Sequence, residues 1–156
     1  TSSLEVPIKI KQILDSLKTA QDENNSLRSQ LAREKFDSIM AQVPKIEGIP
    51  VLMAIIPNAN TEVLRELSDR FRQKNNSGVV VLGSVIDDKP ILVASVTQDL
   101  IARGLHAGKL IKEIAAVVEG GGGGKPDMAQ AGGKNPAKLS EALDKINQYI
   151  KENLKG

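Results

Sequence analysis

Residues 79–96 read VVVLGSVIDDKPILVASV, and this stretch decides the fold. Val79–Ile86 is a continuous, β-branched apolar run, the pattern of a strand buried on both faces. Asp87-Asp88-Lys89-Pro90 is a hairpin turn, and Ile91–Val96 is the returning strand. Upstream, Asn75-Asn76-Ser77-Gly78 is a turn that ends a helix begun near Thr61. Leu64, Leu67 and Phe71 recur there at helical spacing, with Asn60 or Thr61 as the cap. Before that helix, Pro50–Ile56 is a short β-rich run ended by Pro57. Downstream, Thr97 opens a helical stretch broken by Gly104. Leu105–Val118 resumes it, with Leu110, Ile111, Ile114 and Val118 on one side. A loop is expected from Gly120 to about Asn135. Pro136 then opens a last helix carrying Leu139, Leu143, Ile146 and Ile150. The expected class is α/β (α+β), a small sheet covered by helices.

The N-terminal segment obeys a different period. From Ile10, the a and d positions of a heptad are Ile10, Ile13, Leu17, Ala20, Asn24, Leu27 and Leu31, and Glu34 breaks the pattern. A 3.5-residue apolar repeat is the seam of a coiled coil, and an Asn at an a position selects register and partner. Asp22-Glu23-Asn24-Asn25-Ser26 is also a turn signal, so an extended coiled coil and a helical hairpin both fit. Phe36, Ile39, Met40 and Val43 resume the spacing until Pro44 stops the helix. The expected organisation is a helical, coiled-coil-like arm at residues 1–47 and a globular α/β domain at 48–156. The arm residues that would join two copies are Ile10, Ile13, Leu17, Asn24, Leu27 and Leu31.

Composition removes several classes of function. The 156 residues suit one domain with an arm, since domains cluster at roughly 100–150 residues. The chain has no Cys, which excludes disulfides, thiolate metal sites and Cys nucleophiles, and one His, which excludes a His-cluster metal site. Aromatics make up 2%, too few for a base-stacking nucleic-acid module. No apolar run approaches the ~20 residues of a membrane span, and no signal peptide is recognisable. The chain opens on Thr1 rather than Met, as expected of a piece of a longer protein. The net charge of +2 is small, but its excess lies entirely in residues 97–156. Within 101–138, Arg103, Lys109, Lys112, Lys125, Lys134 and Lys138 face only Glu113, Glu119 and Asp127. A local excess of this kind either holds phosphate or is a solvated face.

That window contains GGGGGKPDMAQAGG, residues 120–133. Five consecutive glycines cost backbone entropy on ordering and add nothing to a core. They let a ligand backbone approach closely, and successive N–H groups can form an anion nest. Lys125 adds a charge at the mouth of the loop, Pro126 stiffens its exit and Gln130 hydrogen-bonds in both senses. Gly132-Gly133 allow a second close approach. The alternatives are a tight structural turn and a flexible linker. No Lys-Ser or Lys-Thr pair follows at P-loop spacing, and no strand leads into the run as in a dinucleotide site.

Gly120–Gly133, preceded by His106-Ala107-Gly108-Lys109-Leu110-Ile111-Lys112-Glu113-Ile114-Ala115, resembles the C-terminal domain of alanyl-tRNA synthetase. That family has an Ala-Gly before a helix, then a glycine run, Arg-Pro, two residues, Ala-Gln and more glycines. Lys125 stands here where the family often has Arg, which keeps charge but loses bidentate geometry. The domain also resembles the DHH-associated domain of certain phosphoesterases. Its loop has no His, and the chain has no Asp-His-His cluster, so phosphoesterase chemistry does not transfer.

The resemblance implies a cytoplasmic, tRNA-binding appendage of an ATP-dependent alanine–tRNA ligase. It would contact the outer corner of tRNA and help couple aminoacylation to editing. It implies no catalysis, metal or cofactor in this segment. Its partners would be tRNA, the other domains of the parent synthetase and a second copy in a homodimer, with no membrane. The residues carried over are Gly120, Gly121, Gly122, Gly123, Gly124, Lys125, Pro126, Gln130, Gly132 and Gly133, with Lys109 and Lys112 added on charge. The alternative is a homo-oligomerisation module whose basic glycine segment is structural. Asp87 and Asp88 are adjacent turn residues that cannot flank a substrate, and His106 is read as a helix cap or a nucleotide contact. Phe71 and Tyr149 are read as core, and Met40, Met53 and Met128 as fillers.

Overall fold

The computed structural model describes residues 5–155. A 36-residue helix, α1 (Glu5–Met40), leads into β1 (Lys45–Ile46), β2 (Ile49–Ile55) and α2 (Thr61–Lys74). The chain continues through β3 (Val79–Ile86), β4 (Lys89–Val96), α3 (Gln98–Ala102) and α4 (Ala107–Val117). It ends with β5 (Gly121–Gly124), β6 (Met128–Gly132), a 3₁₀ turn at Pro136–Lys138 and α5 (Leu139–Asn153). The six strands form one sheet in the order β1-β2-β3-β4-β6-β5. Only β2 and β3 run parallel, and α2 makes the crossover that a parallel pair requires.

Two apolar layers sandwich the sheet. On one face, α4 and α5 pack Ile111, Ile114, Ile146 and Ile150 onto Val79, Val81, Leu92 and Ala94. On the other, α2 and the end of α1 pack Leu64, Leu67, Phe71 and Phe36 onto Leu52, Val80, Leu82 and Val93. Successive residues of β3 alternate between these layers, so a strand buried on both faces reads as an unbroken apolar run. The Asn60 side chain accepts from the Val63 amide at 2.9 Å and caps α2. His106 caps α4 by accepting from the Lys109 amide at 3.2 Å. The Tyr149 hydroxyl donates to the His106 carbonyl at 3.1 Å and accepts from its amide at 3.2 Å. Burial raises the Tyr149 phenol above its ordinary pKa, against the lowering effect of the His106 hydrogen bond.

Three expectations change. The helical-hairpin alternative for the arm is not realised, because α1 passes unbroken through Asp22–Ser26. Helix-tolerant residues there, with no Pro or Gly, let the turn signal be overridden. The helix stops at Met40 rather than Val43, since the chain must turn before Pro44 so that β1 can pair with β2. The expected loop at 120–135 is an antiparallel hairpin, β5–β6, that extends the sheet. Body and arm also overlap: Ala32 and Phe36 are buried in the second layer, whereas residues 5–28 are exposed throughout. Those 24 residues project as a free helix roughly 36 Å long at 1.5 Å per residue.

The β3–β4 turn places Asp87 and Asp88 at φ of 50° and 61°, the pair of left-handed conformations of a type I′ turn. Replacing Asp88→Gly should stabilise the chain by roughly 1 kcal/mol, since glycine adopts that conformation without strain. Thermal unfolding of the two chains checks it.

Candidate nucleic-acid interface

The first turn of α4 fixes where the glycine hairpin lies. Ala107 donates its amide to the Pro126 carbonyl at 2.8 Å, and Gly120 donates to the Ala115 carbonyl at 2.9 Å. Both ends of β5 are therefore tied to α4. The approach is backbone on backbone: a Cβ at Gly108 would stand 2.7 Å from the Gly124 carbonyl oxygen. A Cβ at Gly124 would stand 2.6 Å from the Met128 oxygen, and one at Gly122 would overlap the Gln130 carbonyl. Glycines 122 and 124 are thus required by the fold itself. Gly121 differs, because a Cβ there would meet nothing within 4 Å.

The anion nest expected of this run is not formed. A nest alternates right- and left-handed residues, and among the described residues only Gly48 and Gly104 are glycines with positive φ. The ribbon instead pairs as a strand, Gly121 with Gly132 through to Gly124 with Ala129. Lys125 donates its amide to Met128 at 2.9 Å across the turn. Antiparallel alternation then turns Gly121 and Gly123 toward β6, and Gly122 and Gly124 toward the outer edge. Donors and acceptors alternate along that edge, which differs from a cup of converging N–H groups.

The expected RNA-binding residues fall into one neighbourhood. Gly120, Gly121, Gly122, Gly124, Lys125, Pro126, Gln130 and Gly132 are exposed, and Gly123 and Gly133 are half-buried. Lys109 and Lys112 are exposed on α4, three residues apart and so on one face. The Lys112 chain runs beside Gly123, its Cε 3.4 Å from where a Cβ would be. Ala129 and Ala131 turn under α4, which leaves Gln130 on the opposite face.

That opposite face forms a groove. Val93, Gln130 and Gly123 lie in one row across β4, β6 and β5. Val93 is fully buried in the α2 layer, yet Gln130 is exposed, so the cover of α2 stops between them. The step leaves two adjoining hollows of about 500 Å³ each. Thr61 and Ile91 border one of them, and Arg65, Asp69 and Arg72 wall the other. Sequence reading missed Arg65 and Arg72. Their signal was spacing, since positions i, i+4 and i+7 put Arg65, Asp69 and Arg72 on one helix face.

The expected oligomerisation residues lie elsewhere. Ile10, Ile13, Leu17, Leu27 and Leu31 are each more than half exposed on α1, and Asn24 is exposed between them. Among the described residues, no cluster of His, Asp and Glu could hold a metal ion, and no helix is long and apolar enough to cross a membrane.

Comparison with known proteins follows the same outline. Residues 48–152 match the DHHA1 domain family. The chain is 45% identical over 147 residues to the alanine–tRNA ligase of Halalkalibacterium halodurans, covering 94% of this chain and 17% of that protein. It is 45% identical over 151 residues to the alanine–tRNA ligase of Bacillus subtilis, covering 97% of this chain and 17% of that protein. The chain thus spans about one sixth of the length of these curated relatives. Among solved structures, it resembles the C-Ala domain from Aquifex aeolicus alanyl-tRNA synthetase. The TM-score is 0.64 and the identity 31%, over 69% of this chain and 96% of that one. A DHH-domain protein assigned to a family of ribosomal proteins shares the fold at 12% identity and a TM-score of 0.55, over 100% of this chain and 36% of that one.

The two kinds of glycine should separate in a stability measurement. Gly122→Ala should destabilise the chain by about 1–3 kcal/mol, because β5 and β6 must move apart to admit the methyl. Gly121→Ala should change stability by less than about 1 kcal/mol. Denaturant titration of both variants checks the difference.

Proposed function

The chain belongs to the DHHA1 domain family, in the form carried by alanyl-tRNA synthetases as the C-Ala domain, and from that premise we propose that it is a tRNA-binding module. Its parent would be an ATP-dependent alanine–tRNA ligase. In that setting it would grip the outer corner of tRNA and help couple aminoacylation to editing. One observation carries the reading: an exposed strand of glycines whose side-chain-free edge is flanked by lysines. Lys112 lies along the edge and Lys125 closes the turn.

The mechanism is positional and electrostatic. A sugar-phosphate chain can lie flat on β5 because no side chain stands above Gly121. Lys109, Lys112 and Lys125 neutralise phosphates there and release counterions. Outward main-chain groups at Gly122 and the outward Gly124 amide offer both donors and an acceptor, which suits ribose hydroxyls as well as phosphate oxygens. With few base-edge contacts available, selectivity would come from RNA shape. The reading assigns binding to this groove.

A second reading is favoured by the arm. Ile10, Ile13, Leu17, Leu27 and Leu31 present 51–66% of their surface to solvent on one seam, with Asn24 at an a position. Burying a Leu or Ile contributes about 1.5–3 kcal/mol, so this seam fits a second helix from another copy.

Two measurements test these readings. Lys109→Ala, Lys112→Ala and Lys125→Ala combined should weaken binding of a tRNA transcript and lower its log–log salt slope by roughly 2–3, since each lost phosphate contact accounts for roughly 0.7–0.9. An unchanged slope contradicts the lysine assignment. For the arm, sedimentation at several concentrations should show a dimer that Leu17→Glu with Leu27→Glu dissociates. A monomer at every concentration rules out the seam as a dimer contact.

A further inference from the structure

The geometry points to Arg65 and Arg72 of α2 as the clamp that seats an RNA sugar-phosphate chain in the groove beside the glycine hairpin. This rests on the RNA-binding reading above and names the side chains that set affinity there. The basic residues facing α1 and α2 divide into two groups. Arg33 and Arg70 are spent on the fold: Arg33 binds Glu66 through two bonds of 2.8 and 2.9 Å, and Arg70 binds Asp37 at 3.0 and 3.1 Å. These pairs join the end of α1 to α2. Arg65 makes no ion pair among the described residues and lines the groove. Arg72 lies between two carboxylates, 4.0 Å from Asp69 and 3.9 Å from Asp127, and so is oriented without a close hydrogen bond.

Position fits the role. Arg65 and Arg72 share one helix face, about 10 Å apart along the axis. That separation is too long for one phosphate and suits two along the same strand. Lys125 completes the groove at the hairpin turn, with Gly123 and Gly124 as floor. A planar guanidinium takes phosphate bidentately, which an ammonium cannot. The arginines therefore supply the geometric fixing that the α4 lysines lack. Asp69 and Asp127 hold Arg72 in place when no RNA is bound and compete with phosphate for it.

The test uses the whole 156-residue chain, an alanine tRNA transcript as probe, and fluorescence anisotropy at several salt concentrations. Arg65→Ala with Arg72→Ala should weaken binding roughly tenfold or more and lower the salt slope by about 1–2. Arg65→Lys with Arg72→Lys should keep the slope and recover part of the affinity. Asp127→Asn should tighten binding, and Arg70→Ala, which faces α1, should bind like the unmodified chain. If the unmodified chain binds but the double alanine variant binds equally well with the same slope, the clamp is wrong and the RNA-binding reading stands. If the unmodified chain binds no tRNA, that reading fails and the clamp with it.

Discussion

The closeness of three backbones, β5 against β6 on one side and against the first turn of α4 on the other, is the constraint on which the glycine hairpin depends. Cβ atoms at Gly108, Gly122 or Gly124 would stand within 3 Å of neighbouring main-chain oxygens. The side chains are absent because main chain occupies their places. Once the ribbon is seated this way, everything else about the site follows. Gly121 is left facing open space, Lys112 is drawn alongside Gly123, and the hairpin becomes a ledge beyond the cover of α2. The entropy lost in ordering five glycines is offset by strand pairing and by the hydrogen bonds from the Ala107 amide to Pro126 and from the Gly120 amide to Ala115.

The same helix that covers the second apolar layer also forms one wall of the groove. Leu64, Leu67 and Phe71 of α2 pack inward, Glu66 and Arg70 reach α1, and Arg65 and Arg72 face the ledge. Arm, body and groove are therefore held by one element. The Arg33 hydrogen bonds hold the Glu66 carboxyl below its ordinary pKa, with burial opposing that shift. Both partners are substantially exposed, so solvent screens the pair and it adds little to stability. The direction of α1 rests more on Phe36 and Ala32, which are buried beneath it.

Much of this was legible in the sequence. Apolar periodicity located α2, α4 and α5, and the β-branched run with its Asp-Asp turn located β3 and β4 within a residue or two. The glycine run was harder, because strand propensity lives in side chains and glycine has none. Residues 121–124 pair only because α4 and β6 are already in place, a tertiary effect that no local pattern records. Summing charge along the chain singled out Lys109, Lys112 and Lys125 as candidates, since they are close in sequence. It passed over Arg65 and Arg72, which lie some fifty residues upstream in a window of balanced charge and line the groove only through the crossover of β2, α2 and β3. The resemblance to alanyl-tRNA synthetase identified the family from the Ala-Gly helix of residues 106–115 followed by the glycine segment, and the similarity to known proteins agrees with it.

As proposed, the glycine edge docks RNA as well as serving as a structural seam. Amide chemical-shift mapping tests it most directly, with the isotope-labelled chain titrated with a tRNA transcript. Gly121, Gly122, Gly124 and Lys125 should shift first, together with the side-chain signals of Arg65 and Arg72. Shifts confined to α1, with the hairpin amides unmoved at saturation, would contradict it.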